Sequence, residues 1–191
     1  MPATAPALFV VPTAEARDDR EDRLLQAAQN GDLDAFESLV RRHQRRVYSL
    51  AYHAVGDEGL AEELAQDVFV QMHANLGRLE SGRHLAAWLR RVTSHRAIDA
   101  LRVRKTPVAL DAVPEPSSEP VTPDPLASRL LRTALARLTP QARMVVILRY
   151  MDDLAPTEIA EALDMSINTV KSHLRRGLAI LRARLNEARR S

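Results

Sequence analysis

Apolar residues recur along this chain at helical spacing, in blocks separated by glycines and prolines. Phe36, Leu39, Val40, Val47, Leu50, Ala51 and Ala54 stand three, four or seven apart, which predicts one long amphipathic helix ended by Gly56. Leu60, Leu64, Val68 and Met72 form a second stripe at every fourth position. Leu85, Trp88, Leu89, Val92, Ile98 and Leu101 mark a further helix, and Leu24 and Leu25 lie on a short one before Gly31. Such short connections imply a compact helical bundle.

The pattern breaks at "TPVALDAVPEPSSEPVTPDP", where Pro107, Pro114, Pro116, Pro120, Pro123 and Pro125 remove amide donors and restrict the residues before them. Helix cannot continue through it. Its acidic residues, Asp111, Glu115, Glu119 and Asp124, have no basic company, so it reads as an extended, flexible linker over residues 106–125. The expected organisation is a disordered leader (1–19), a helical domain (20–105), the linker, and a second helical domain (126–191). The leader's short apolar patch is broken by prolines and has no basic residue before it, so it does not read as a signal peptide.

Beyond the linker a helix is expected from about Leu126 to Leu138, then one with Thr139 as N-cap and Pro140 at its first position. Pro156 can open the next, "TEIAEAL", and Ser166 can cap the last, which runs to about Glu187. Between these two helices stand only Asp164 and Met165, with Ile159, Ala160 and Leu163 facing Val170 and Leu174. A junction that tight, apolar on its inner side, is what a helix-turn-helix requires.

Composition agrees with an all-α protein of two small domains: 191 residues are 46% hydrophobic but only 4% aromatic. The absence of cysteine excludes disulfides and thiolate metal sites, and fits a reducing compartment. No apolar run approaches the roughly 20 residues that a bilayer-spanning helix needs, so no membrane insertion is expected. The net charge of +2 hides two basic segments. Arg83, Arg90, Arg91, Arg96, Arg102, Arg104 and Lys105 face Asp99 alone, and Lys171, Arg175, Arg176, Arg182, Arg184, Arg189 and Arg190 face Glu187 alone. Two such runs suggest a nucleic-acid partner.

The last helix opens "SINTVKSHLRRG". Short polar side chains near a helix N-terminus can approach phosphates and bases, while long basic ones further along bridge to the duplex. Ser166, Asn168, Thr169, Lys171, Ser172, Arg175 and Arg176 supply both. On the Leu60 helix, Glu62 with Gln66 and Glu63 with Asp67 lie one turn apart. The second pair repels, which a basic partner would relieve; a solvated acidic face explains the pattern equally well. Catalysis finds no support: there is no Gly-rich phosphate loop, no His-Glu-x-x-His motif and no ligand set among the six histidines, so neither cofactor nor metal is expected.

Three stretches, in one order, resemble the extracytoplasmic-function (ECF) sigma factors of the bacterial sigma-70 family. "GDEGLAEELAQDVFVQMHANL" is similar to the family's polymerase-clamp-binding helix, "LAAWLRRVTSHRAIDALRVRK" to its promoter-melting helix, and "LTPQARMVVILRYMDDLAPTEIAEALDMSINTVKSHLRRGLAILRARL" to its -35 reader. The resemblance covers about Asp34 to Leu185. It departs at Asp164, where glycine is usual in the turn, at His95, where asparagine is common, and at Ala155, where a capping serine is common. Aspartate tolerates the left-handed backbone that such a turn needs.

The resemblance implies a cytoplasmic, non-enzymatic factor that binds core RNA polymerase, recognises promoter -10 and -35 elements and promotes initiation. It assigns the beta-prime clamp helices as partner to Glu62, Glu63, Gln66 and Asp67, and the -10 non-template strand to Arg90, Arg91, Ser94, His95, Arg96, Asp99 and the "RLESGRH" loop. The -35 element falls to the last helix, above all Lys171, Ser172, Arg175 and Arg176. The beta flap and an anti-sigma factor are further implied partners. Trp88 reads mainly as core, and His95 equally well as a structural histidine. A stand-alone helix-turn-helix regulator and a helical protein-binding adaptor are the alternative readings.

Overall fold

The computed structural model describes residues 14–104 and 125–188, so the first thirteen residues and nearly all of the expected linker lie outside the described residues. Among those described, eight α-helices and a short 3-10 turn at Leu76–Arg78 make up the regular structure, with no strand. The N-terminal unit comprises α1 (Ala14–Gln29), α2 (Leu33–Val55), α3 (Glu58–Asn75) and α4 (Gly82–Arg104). The C-terminal unit comprises α5 (Pro125–Ala136), α6 (Pro140–Tyr150), α7 (Pro156–Ala162) and α8 (Ile167–Ala188).

Local chemistry sets most of the helix ends. The Asp32 and Asp57 carboxylates accept from the amides of Ala35 and Leu60, 3.0 and 2.9 Å away, and so cap α2 and α3. Gly56, at φ 74°, ends α2 in the left-handed region, and Thr139 caps α6 ahead of Pro140. α1 begins at Ala14, earlier than the expected boundary at residue 20. Acidic residues in its early turns suit the positive end of the helix dipole. Asp18 pairs with Arg83 at 3.0 Å and Asp22 accepts from the Gly82 amide at 2.6 Å, tying α1 to the start of α4. A Cβ on Gly82 would meet the Glu21 side chain at 2.7 Å, so glycine is what lets the two helices come this close.

Leu25, Leu39, Val47, Val68, Met72, Leu85 and Leu89 fill the first core, with Trp88 packed half-buried at its side. Ala134, Leu135, Leu138, Val146 and Leu181 fill a smaller one among α5, α6 and α8. A Cβ on Gly177 would approach Val146 to 2.9 Å, so α8 lies close on α6 there. The third and largest cluster belongs to both units. Leu50, Ala54, Ile98 and Leu101 from α2 and α4 meet Met144, Val145, Leu148, Ile159 and Val170. The helices on either side of the linker therefore touch rather than hang apart.

Polar contacts follow the same seam. Arg143, buried in α6, donates from Nε to the Leu135 carbonyl at 2.9 Å and from Nη1 to the Ala54 carbonyl at 2.7 Å. Ala54 is in the last turn of α2, where carbonyls lack helical partners and a cation is favoured. Burial lowers the Arg143 pKa from the usual guanidinium range. Arg132 of α5 adds a 2.5 Å bond to the Tyr52 hydroxyl.

Candidate nucleic-acid and polymerase interface

The helix-turn-helix is built as its sequence predicts. Asp164 takes φ 52° in the turn, and the Met165 amide donates to the Ala160 carbonyl at 2.9 Å. The Ser166 hydroxyl accepts from the Thr169 amide at 3.1 Å and shares a 2.8 Å bond with the Thr169 hydroxyl, which fixes the first turn of α8. Val170, fully buried against Ile159 and Leu163, sets the rotation of the helix. Ser166, Asn168, Thr169, Lys171, Arg175 and Arg176 are consequently exposed, with Ser172 half-buried among them. Burial, reinforced by the charge of Arg176, lowers the pKa of His173 and favours its neutral form on this face.

The second basic surface is arranged differently. On α4, Arg90 donates to Asp152 at 3.0 Å, and Arg46 of α2 reaches the other oxygen of the same carboxylate at 3.2 Å. Arg91 pairs with Asp164 at 2.8 Å; His95 lies 3.5 Å from that carboxylate, while its Nδ1 donates to the Arg91 carbonyl at 2.9 Å. Arg96 holds Asp67 of α3 at 2.5 Å, and Asp99 pairs with Arg102 at 3.1 Å. Ser94 is fully buried, and its hydroxyl has no hydrogen-bond partner among the described residues. Of the "RLESGRH" loop, Ser81 caps α4 by accepting from the His84 amide at 3.1 Å.

On α3, Glu62, Glu63 and Gln66 are exposed. Asp67 is not left to repel Glu63, because Arg96 neutralises it from within the protein. Glu62 and Gln66 border a groove of about 1040 Å³ between α2 and α3, whose apolar lining includes Phe36, Val40, Tyr48, Phe69 and Val70. Burial and the charges of Glu58 and Glu62 raise the Tyr48 pKa, so its phenol stays protonated.

Residues 39–106 match the family described as Sigma-70 region 2, and residues 128–181 match Sigma-70, region 4. The chain is 34% identical over 156 residues to the "RNA polymerase sigma-E factor" of Streptomyces coelicolor, a match covering 81% of this chain and 88% of that one. It belongs to the ECF sigma factors of the sigma-70 family. The "ECF RNA polymerase sigma factor SigW" of Bacillus subtilis is 28% identical over 178 residues, covering 85% of this chain and 95% of that one. Among solved structures, the sigma factor RpoE from Bartonella quintana, crystallised with the anti-sigma factor NepR, shares the fold. Its TM-score is 0.67 at 22% identity, over 79% of this chain and 96% of that one.

Family membership removes the stand-alone regulator and the adaptor as readings of the whole chain. Within this sigma factor, the two basic segments are carried on different terms: Lys171, Arg175 and Arg176 project from α8, whereas Arg90, Arg91 and Arg96 each meet a carboxylate. Sequence reasoning missed Asp152 and the apolar groove. The groove did leave a signal, since Phe69 and Val70 are apolar yet fall off the Leu60, Leu64, Val68 and Met72 stripe. Val70 is 70% exposed.

Proposed function

We propose that the N-terminal unit, expected over residues 20–105, docks on core polymerase through α3 and reads the -10 element through α4. The C-terminal unit, expected over residues 126–191, reads the -35 element through α8. The observation that carries this is the exposed row Lys171, Arg175 and Arg176 behind a Ser166-capped helix start, on a helix fixed by its buried Val170. Duplex phosphates favour such a row, and the short hydroxyls at its head leave room for base edges.

Glu62, Glu63 and Gln66 beside the apolar groove suit an elongated partner with both basic and apolar side chains, as the clamp helices of the beta-prime subunit would offer. An anti-sigma factor is a further partner, by analogy with the RpoE–NepR pair. Arg90, Arg91, His95, Arg96 and Asp99 are assigned to the separated -10 strand, whose bases can be captured only after leaving the stack. The beta flap is the partner assigned to the C-terminal unit. The chain itself is read as non-enzymatic, the polymerase doing the chemistry, and as cytoplasmic; no described helix is long and apolar enough to cross a membrane.

Run-off transcription with core polymerase, with and without the chain, tests the reading. Promoter-specific transcripts that depend on the chain are expected. Equal transcript from core alone would sink it.

A further inference from the structure

Arg96 differs from Arg90 and Arg91 in where its partners come from. Both lie on α3, one turn apart, inside the N-terminal unit. The Asp67 carboxylate accepts from Nη1 at 2.5 Å. The Gln71 amide, oriented with its oxygen toward the guanidinium, accepts from Nε at 3.2 Å and also from Nη2. A guanidinium carries one N–H on Nε and two on each terminal nitrogen, all in one plane. These contacts therefore leave one donor on Nη1 and one on Nη2, on a side chain that is 33% exposed. Half of the Asp67 side chain is exposed as well, and a pair that solvated contributes little to stability. What the arrangement supplies is orientation: Gln71 fixes one edge of the fork, and Asp67 balances its charge.

We propose that Asp67 and Gln71 are positioning residues, which hold Arg96 as a directional reader of an unpaired base in the -10 strand rather than as a general attractor of phosphate. The inference rests on the assignment of α4 to that strand and deepens it. A charge already answered by a carboxylate pulls weakly on a distant phosphate, while the two remaining N–H groups still demand acceptors at hydrogen-bond distance and angle. Two such donors suit adjacent acceptors on the edge of one base, once that base has left the stack. A side chain that is already ordered loses less freedom on binding, so the contact strengthens where its acceptors are present. Helix α3 would then serve two partners, with Glu62, Glu63 and Gln66 toward polymerase and Asp67 and Gln71 toward Arg96.

The probe is a DNA fragment in which a stretch of the non-template strand is left single-stranded and randomised, downstream of intact duplex. The wild-type chain and each variant bind it in the presence of saturating core polymerase, which removes any effect on docking, and the retained strands are sequenced. The wild type is expected to prefer one base at the position that Arg96 reads. Gln71→Ala should weaken that preference about fivefold, at the same position as Arg96→Lys, and leave the other positions unchanged. Gln71→Glu keeps an acceptor oxygen and should retain the preference. Asp67→Asn also keeps an acceptor but frees the charge of Arg96. It should retain the preference and steepen the salt dependence of binding by about 0.7, as one more strand phosphate is engaged. Wild-type preference at every position in Gln71→Ala would overturn the proposal. So would a loss shared equally by all positions, a Gln71→Glu protein no better than Gln71→Ala, or an unmoved salt slope in Asp67→Asn. No base preference in the wild type would take α4 off the strand and the inference with it, whereas run-off transcription by the wild-type chain reads the sigma assignment separately.

Discussion

Helices α4 and α8 carry similar cationic sequences, "LRRVTSHR" and "VKSHLRR", yet they meet their surroundings in opposite ways. On α8 the buried positions Val170 and Gly177 lie to one side, and the cations point to solvent. On α4 two sides are buried: Leu85 and Leu89 face the first core, while Ile98 and Leu101 face the shared one. Arg90 and Arg91 are left at the rims of the second contact, where Asp152 and Asp164 meet them. A run of positive charge thus states a capacity, and the fold decides whether that capacity is open. The cations of α8 face solvent, whereas Arg90, Arg91 and Arg96 of α4 are paired with carboxylates.

The largest expected effect comes from cutting into the shared cluster. Leu148→Ala removes a fully buried side chain from it and should cost about 2–5 kcal/mol in stability measured by denaturant melting. It should also loosen the packing of α6 on α4, which hydrogen exchange along α4 would register as faster amide exchange. Next comes the open helix. Replacing Lys171, Arg175 and Arg176 together by alanine should lower the salt slope of duplex binding by about 0.9 for each phosphate left without its cation. A slope unchanged from wild type would take α8 off the DNA.

A smaller effect concerns how α1 is fastened beneath α4. Burial would raise the Glu21 carboxyl, but its hydrogen bond and charge contact with His43 and the charge of Arg42 outweigh this and hold it below its ordinary value of 4.5. The folded state then binds fewer protons than the unfolded one. This contribution to stability is present above about pH 4.5 and is lost as the pH falls through the folded value. Glu21→Gln should flatten that part of the acid stability profile. The smallest effect reports the seam itself. Burial, with the added charge of Arg132 from the C-terminal unit, lowers the His53 pKa below 6.5. Its stabilising contribution is lost as pH falls below that value, and Arg132→Ala should move the His53 NMR titration part of the way back up.

What could be read in the sequence was local. Gly56 as the end of α2, Thr139 and Pro140 at the head of α6, Ser166 as a cap and Asp164 in a left-handed turn all follow from chemistry within a few residues, and all are found. The stripe on α2 was legible too, although Phe36 and Val40, half-buried against the first core, also line the groove. What could not be read depends on partners far along the chain. Arg90 and Asp152 are 62 residues apart, and no periodicity within α4 announces a second packed side. Ser94 belongs by sequence to a polar surface, yet it is fully buried in the structure. Asp67 looked like half of a repulsive pair because Arg96, its partner, sits on another helix.

Photo-crosslinking tests the contrast between the two helices most directly, with a photoreactive amino acid placed at Ala87 on α4 or at Ala179 on α8, both exposed. One promoter fragment is offered to the full chain, alone and with core polymerase, at the same salt. The account predicts that the α8 position crosslinks to the upstream duplex, more strongly once core is present. It predicts that the α4 position reaches the non-template strand only with core. Crosslinking from α4 to DNA at equal yield in the absence of core would contradict it, because α4 is assigned to bases that have left the stack.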